Sequence, residues 1–325
     1  MIIGQDRAVA QFTDAMRSGA LHHAWLLAGP RGVGKANFAR AAAMRLLADA
    51  AGPPVDLPGL DTPADHRIAH LLAAGSHPDY RELERLERTT GGLERTTGGL
   101  ARNISVEQVR SLGDLLGATP FLSPWRAVVI DAADDLEPSG ANALLKMLEE
   151  PPAKCLFLLV AHNPGRLLPT IRSRCRRLDF QTLDDDAMTS ILIRELPGTS
   201  MDEIARLVSL AGGSVGRAIA YAGLDLAPLE TDALAILREG DPSNARRSKL
   251  AQGMSTKASA ERYAAFLQLV PSLIAREARQ LDGPRQERAL DAYARARETA
   301  AIAQRLSLDP ATTVFQLGSI LASVP

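Results

Sequence analysis

Four short apolar runs stand out along the chain, each bounded by turn residues or charges. They are Ala24-Trp25-Leu26-Leu27-Ala28, Ala127-Val128-Val129-Ile130, Leu156-Phe157-Leu158-Leu159-Val160 and a weaker one at Arg177-Leu178-Asp179-Phe180. Tyr80 to Leu83 is a fifth candidate. Near-continuous apolar runs predict strands covered on both faces, as in a parallel sheet. Between them the period changes to that of helices. After Lys35, Phe38, Ala42 and Leu46 recur at four-residue steps. Ser105 and Gln108 form a capping box, and Val109, Leu112 and Leu116 the apolar stripe of the helix it opens. Asn142 to Glu150 is rich in helix formers and stops at Pro151-Pro152. Alternating strands and helices predict an α/β domain over residues 1–180.

From residue 184 onward the strand pattern disappears. Ser200 and Glu203 offer a second capping box, Gly212-Gly213 ends that helix, and Ser214 can start the next. Tyr263, Phe266, Leu267, Val270 and Ile274 form a helical stripe. Asp309-Pro310 places an N-cap before an N1 proline, with Val314, Leu317 and Leu321 following on one face. The expected organisation is a nucleotide-type α/β domain (1–180), a small helical module (181–224) and a helical C-terminal domain (225–325). One local feature stands outside this scheme. Leu86-Glu-Arg-Thr-Thr-Gly-Gly is repeated from Leu93 to Gly99. Two seven-residue copies are too short for a solenoid, and the turn chemistry reads as a duplicated loop.

Composition narrows the partners. The 325 residues carry 37 Lys+Arg against 38 Asp+Glu, a net charge of −1, so no global basic field is available to hold a phosphate backbone. At 4% aromatics the chain lacks the makings of a base-stacking platform. Two cysteines, Cys155 and Cys175, cannot build a four-cysteine zinc site, and their scarcity fits a reducing, cytoplasmic setting. No apolar run reaches membrane-spanning length, so no membrane partner is expected. The opening Met1-Ile-Ile-Gly-Gln-Asp6 has no signal-peptide pattern.

The strongest candidate chemistry follows the first strand. Gly29-Pro-Arg-Gly32-Val-Gly34-Lys35-Ala36 fits G-x-x-x-x-G-K between a strand and a helix. Its glycines let backbone N–H groups turn toward phosphate oxygens, and Lys35 is placed to reach the β- and γ-phosphates. The last position calls for a Ser or Thr hydroxyl on Mg²⁺; Ala36 has none. The second half of such a site is the acid ending another buried strand, here Asp131 after Val128-Val129-Ile130. In an active ATPase of the AAA+ type a Glu follows that Asp and polarises the attacking water. Here Ala132 follows, and Asp134 and Asp135 are expected past the strand end, out of reach. In-line phosphoryl transfer needs positioning and charge neutralisation together, so the two losses predict little or no intrinsic hydrolysis.

Residues 166–177 hold five arginines and no acid. Such a run is a solvated surface, a DNA phosphate contact or a source of an arginine finger for a neighbouring subunit's nucleotide. Position before the weak fourth strand, where a subunit edge can be exposed, favours the finger for Arg174. Cys175 reads as a small buried residue.

Taken together, these residues resemble the clamp loader of bacterial DNA polymerase III. The resemblance rests on Asn142-Ala-Leu-Leu-Lys146-x-Leu-Glu-Glu-Pro-Pro152 and Leu168-Pro-Thr-Ile-Arg-Ser-Arg-Cys175, with Gly75-Ser-His-Pro-Asp79 and Ile3-Gly4-Gln5. Asn163 is similar to the family's polar sensor 1 residue. Ala211-Gly-Gly-Ser-Val-Gly-Arg217-Ala218 is similar to its sensor 2 element. The resemblance covers residues 1–222 and implies an α/β P-loop (AAA+) domain with a parallel sheet, a small helical lid and an all-α C-terminal collar.

Two kinds of subunit share this pattern. Motor subunits (gamma and tau) carry an intact Walker A hydroxyl, an Asp-Glu pair and a four-cysteine zinc module. This chain has Ala36, Ala132 and no cysteine between residues 36 and 154. It is similar to the delta-prime kind, and no zinc is expected. The resemblance implies a non-hydrolysing stator within the DNA polymerase holoenzyme. Its partners would be gamma/tau and delta subunits, with the sliding clamp and primed DNA met through the assembled complex. Ser173-Arg174-Cys175 would reach the ATP of an adjacent motor. Lys35 leaves ATP binding without turnover open. The rival reading is an active gamma/tau-type ATPase.

Overall fold

The computed structural model describes all residues except 1, 91–95, 102, 255, 257 and 258. Contacts group the chain into two units. The first is Met1–Ile191 with Gly213–Gly216, and the second is Leu192–Gly212 with Arg217–Pro325.

The first unit is built on a five-stranded parallel sheet. Its strands are β1 (Ala24–Ala28), β2 (Tyr80–Glu84), β5 (Arg126–Asp131), β6 (Cys155–Ala161) and β7 (Arg176–Asp179), in spatial order β2-β5-β6-β1-β7. Register aligns Leu26 with Leu159, and Ile130 with Leu159 from the other side. β1, β5 and β6 have their apolar positions buried throughout, which is why their runs are continuous. β7 is an edge strand in which only Leu178 is buried.

Each sheet face has its own core. On one, Trp25, Leu27, Leu158, Val160 and Leu178 pack with helix α1 (Asp6–Arg17) and helix α2 (Lys35–Ala51). Phe12 meets Trp25 and Phe38 edge-on at centroid distances of 5.1 and 5.7 Å, and Phe38 meets Phe180 at 5.1 Å. On the other, Leu26, Val128, Ile130, Phe157 and Leu159 pack with Val109, Leu112, Leu144, Leu148 and Ile171. Those last residues come from α4 (Val106–Arg110), α5 (Leu112–Gly117), α6 (Pro138–Glu149) and α7 (Pro169–Arg172). α3 (Arg67–Ala73) completes the helices of this region.

The structure departs from the sequence expectations in three places. The Ser105 capping box forms, but the helix it opens is interrupted at Ser111 and becomes α4 and α5. The α6 helix begins four residues earlier than expected, on Pro138. The duplicated segment is more than a loop. β3 (Glu87–Thr90) pairs antiparallel with β4 (Thr96–Leu100), so the Thr-Thr of one copy lies opposite that of the other. Threonine's β-branched side chain favours strands, and this outweighs the turn chemistry there. Residues 91–95 of the repeat lie outside the described residues.

Beyond residue 184 the described elements are helices: α8 (Asp185–Glu195), α9 (Met201–Ala211), α10 (Val215–Tyr221), α11 (Ala227–Glu239), α12 (Ala245–Gly253), α13 (Ala260–Ala278), α14 (Gly283–Leu306) and α15 (Pro310–Leu321). Gly212 caps α9 in the left-handed conformation, and the Asp309 carboxylate accepts the Thr312 N–H at 2.8 Å. In the second unit α13 buries Phe266, Leu267, Val270 and Ile274, and α14 packs along it through Ala289, Ala292, Ala296, Ala300 and Ala303. Arg247 of α12 bonds the buried Asp241 and also Ser319 of α15. No described helix is long and apolar enough to cross a membrane.

Candidate nucleotide site

The loop from Gly29 to Gly34 joins β1 to α2. Gly34, at φ +96°, is the helix's N-cap and makes no side-chain cap bond. The first-turn N–H groups of α2 therefore face the loop without a capping acceptor, the usual disposition of an anion cradle. Lys35 is 3% exposed and turns its ammonium back into the loop, donating to Gly29 O at 2.7 Å and to Pro30 O. Burial pushes its pKa down to about 8, against the pull of Asp131 and Asp134 and aided by Arg31.

Asp131 ends β5 on the same edge of the sheet. Burial raises its carboxyl pKa; Arg40, Lys35 and Arg31 oppose this, and Glu82 reinforces it. Arg40 and Glu82 are themselves paired at 2.9 Å, and Tyr80 Oη donates to Glu82 at 2.8 Å. The expected Asp131 and Lys35 are thus brought into one electrostatic cluster. Ala132, 2% exposed, occupies the position after Asp131 and supplies no carboxylate.

Asp134 lies past the end of β5, as expected, and its charge acts on Lys35. Its oxygens are committed elsewhere, accepting the backbone N–H groups of His162 and Asn163 at 3.0 Å each. It therefore holds the exit of β6. Asn163 is placed by that anchor, with its own side chain exposed. His162 beside it is held neutral. Burial pushes its pKa down to about 4, helped by Lys35, Arg31 and Arg85 and opposed by Asp134. Its buried Nδ1 has no hydrogen-bond partner among the described residues.

Two long-range ties to the loop carry almost no signal in the sequence. The Gln5 side chain donates to Gln181 O at 2.8 Å and Val33 O at 3.3 Å. The segment Gly213–Gly216 reaches the loop's far side. Ser214 Oγ donates to Arg31 O at 2.9 Å, and Gly216 N–H to Gly32 O at 3.0 Å. The only sequence signals for these were a Gln in the opening Ile-Gly-Gln and a glycine-rich run before Arg217. Arg217 itself, expected at the nucleotide, donates to Ala211 O at 3.2 Å and Ser272 Oγ at 3.1 Å in the second unit.

Arg174 follows α7 and lies just before the edge strand β7. It donates to Thr170 O at 3.0 Å and pairs with Glu149 at 2.7 Å. The other arginines of the run diverge. Arg176 stacks over Trp25 at 5.0 Å, and Arg177 pairs with Asp179. Cys175 is half-buried and its thiol is pushed up to about 12 by burial, so it stays protonated.

The residues present fit a phosphate chain: a glycine loop, uncapped helix N–H groups and a lysine. They do not fit the metal and water that hydrolysis needs, since Ala36 and Ala132 offer no oxygen ligand or base. Among the described residues no group of His, Cys, Asp and Glu could hold a metal ion.

Comparison with known proteins gives the family. Residues 4–184 match the family described as DNA polymerase III, delta subunit. The DNA polymerase III subunit delta' of Pseudomonas aeruginosa is 36% identical over 195 residues, 59% of this chain and 53% of that protein. The gamma/tau subunit of Mycobacterium tuberculosis is 32% identical over 219 residues, 66% of this chain and 35% of that protein. The chain thus spans about half or less of the length of these relatives. A gamma subunit-related protein of Thermotoga maritima superposes over 97% of this chain and 99% of that one, with 19% identity and a TM-score of 0.43. With a glycine-rich phosphate loop, a parallel five-stranded sheet and a family match over more than half its length, the chain belongs to the family described as DNA polymerase III, delta subunit.

Proposed function

We propose that the chain is a delta-prime-type subunit, a stator that does not hydrolyse ATP and that supplies Arg174 to the ATP of an adjacent gamma/tau-type motor. One observation carries this. A formed phosphate cradle around Lys35 ends in Ala36, and the acid-bearing strand continues into Ala132. Phosphate can be held there, but neither the metal hydroxyl nor the water-activating carboxylate exists. ATP is bound without turnover. The helical segment after residue 181 acts as the lid (181–224), and residues 225–325 form the collar that joins the other subunits. Gamma/tau and delta subunits are its direct partners. The sliding clamp and primed DNA are met through the assembled complex, in keeping with a chain of net charge −1.

The rival reading is an active gamma/tau-type motor, which the match to gamma/tau relatives keeps in view. Purified chain incubated with ATP and primed DNA separates the two. No turnover above background is expected, whereas turnover at ordinary ATPase rates, about 1 per second or more, makes it a motor.

A further inference from the structure

We infer that Glu149 is a positioning residue for Arg174, holding its guanidinium ready for a nucleotide on a neighbouring subunit. This rests on the proposed role of Arg174 and extends it to a second residue, in a different sequence motif.

Glu149 is the last residue of α6, and Arg174 lies two residues past the end of α7. The two backbones are fixed relative to each other by a shared core, because Leu144 and Leu148 of α6 and Ile171 of α7 lie in one buried cluster. Arg174 N–H donates to Ile171 O at 3.1 Å, which closes the turn that carries it. From there the guanidinium is held at two points. Nη1 donates to Thr170 O at 3.0 Å and Nη2 meets Glu149 Oε1 at 2.7 Å. A guanidinium has five N–H donors, so these bonds leave three to receive a phosphate.

The carboxylate has two opposing effects on such a finger. It fixes a long side chain that would otherwise sample many rotamers, and it offsets some of the positive charge. Arg174 and Glu149 are 35% and 42% exposed in their side chains. Water and salt weaken the charge offset at that exposure. The geometric restraint is not screened. Orientation therefore outweighs charge cancellation, and the ion pair favours catalysis at the neighbouring site.

The test uses the reconstituted clamp-loader complex in which only the motor site adjacent to this chain can hydrolyse ATP. Turnover is measured with the wild-type chain and with Arg174→Ala, Glu149→Ala, Glu149→Gln and the double alanine variant. Glu149→Ala is expected to lower kcat about tenfold with KM for ATP unchanged, since the neighbour's own loop binds the nucleotide. Glu149→Gln keeps an acceptor oxygen and should recover most of the rate. The double variant should match Arg174→Ala alone. An unchanged or raised rate in Glu149→Ala overturns the inference, the raised rate showing that the pair parks the finger instead. So does a Glu149→Ala effect that persists in the Arg174→Ala background, which would mark a structural role. If Arg174→Ala itself leaves turnover unchanged, the finger reading fails, and that outcome is distinct from a failure confined to Glu149.

Discussion

Gly32 and Gly216 approach so closely that a Cβ on Gly216 would stand 2.9 Å from the Gly32 Cα. The phosphate loop is therefore packed against residues 213–216 backbone to backbone, and side chains are excluded on both sides. Gly32 is doubly constrained. Its φ is +77°, and a Cβ there would meet Ser214 Oγ at 2.4 Å. Gly34 has φ +96° but open space around it. Gly34→Ala should then cost about 1–2 kcal/mol from backbone conformation alone. Gly32→Ala should cost clearly more, about 2–4 kcal/mol. Urea denaturation of the two variants checks this, and equal losses would count against the close packing.

Asp79 organises the loop over residues 121–123. Its buried carboxylate accepts the N–H groups of Phe121 and Leu122 at 2.7 Å and of Ser123 at 3.1 Å. This gives the Gly75-Ser-His-Pro-Asp79 motif a structural purpose. It fixes the loop on which Phe121 stands 80% exposed. Asp79→Ala leaves three amides without their acceptor and should cost about 3 kcal/mol, or about 6–12 °C in Tm for a domain of this size. Asp79→Asn, which keeps one acceptor oxygen, should lose less. Thermal unfolding followed by circular dichroism decides it, and an unchanged Tm for Asp79→Ala would show that the loop holds by other means.

Nucleotide binding should weaken as pH rises through 8. Burial lowers the Lys35 pKa from 10.5 to about 8. Between those values the unfolded chain holds a proton that the folded one has released, so this group adds stability as pH rises across that window. Binding has the opposite sign. The phosphates need the ammonium, which the free site loses above about pH 8. ATP affinity should fall about tenfold between pH 7 and pH 9, and Lys35→Ala should flatten that dependence. Titration with a fluorescent ATP analogue at the two pH values measures it; a pH-independent affinity in the wild type would rule out an ammonium contact.

How much of this was legible depended on locality. β1, β5 and β6 were visible because both faces are buried and the run is unbroken. β7 was faint because it is an edge strand whose Arg176, Arg177 and Asp179 are exposed. α14 left no large apolar stripe, since the face it buries is alanine. The phosphate loop could be read directly, all its parts lying within eight residues of chain. What escaped was every tie made by a side chain to distant backbone. Asp134 to Asn163 spans 29 residues, Gln5 to Gln181 spans 176 and Ser214 to Arg31 spans 183. Such bonds follow from the fold and leave no period or motif behind. Asp134 lies past the end of β5, as its place in the sequence indicates, and the fold brings it to the exit of β6.

In the proposed role this chain does not turn over ATP itself and completes a neighbour's site with Arg174. The most direct measurement is ATP turnover by a reconstituted complex in which only the adjacent motor site is competent, with and without Arg174→Ala. An arginine finger is worth about 10³–10⁵ in kcat in related phosphoryl transfer, so Arg174→Ala should lower turnover at least about tenfold with the complex still assembled. Equal turnover by the two complexes would contradict it.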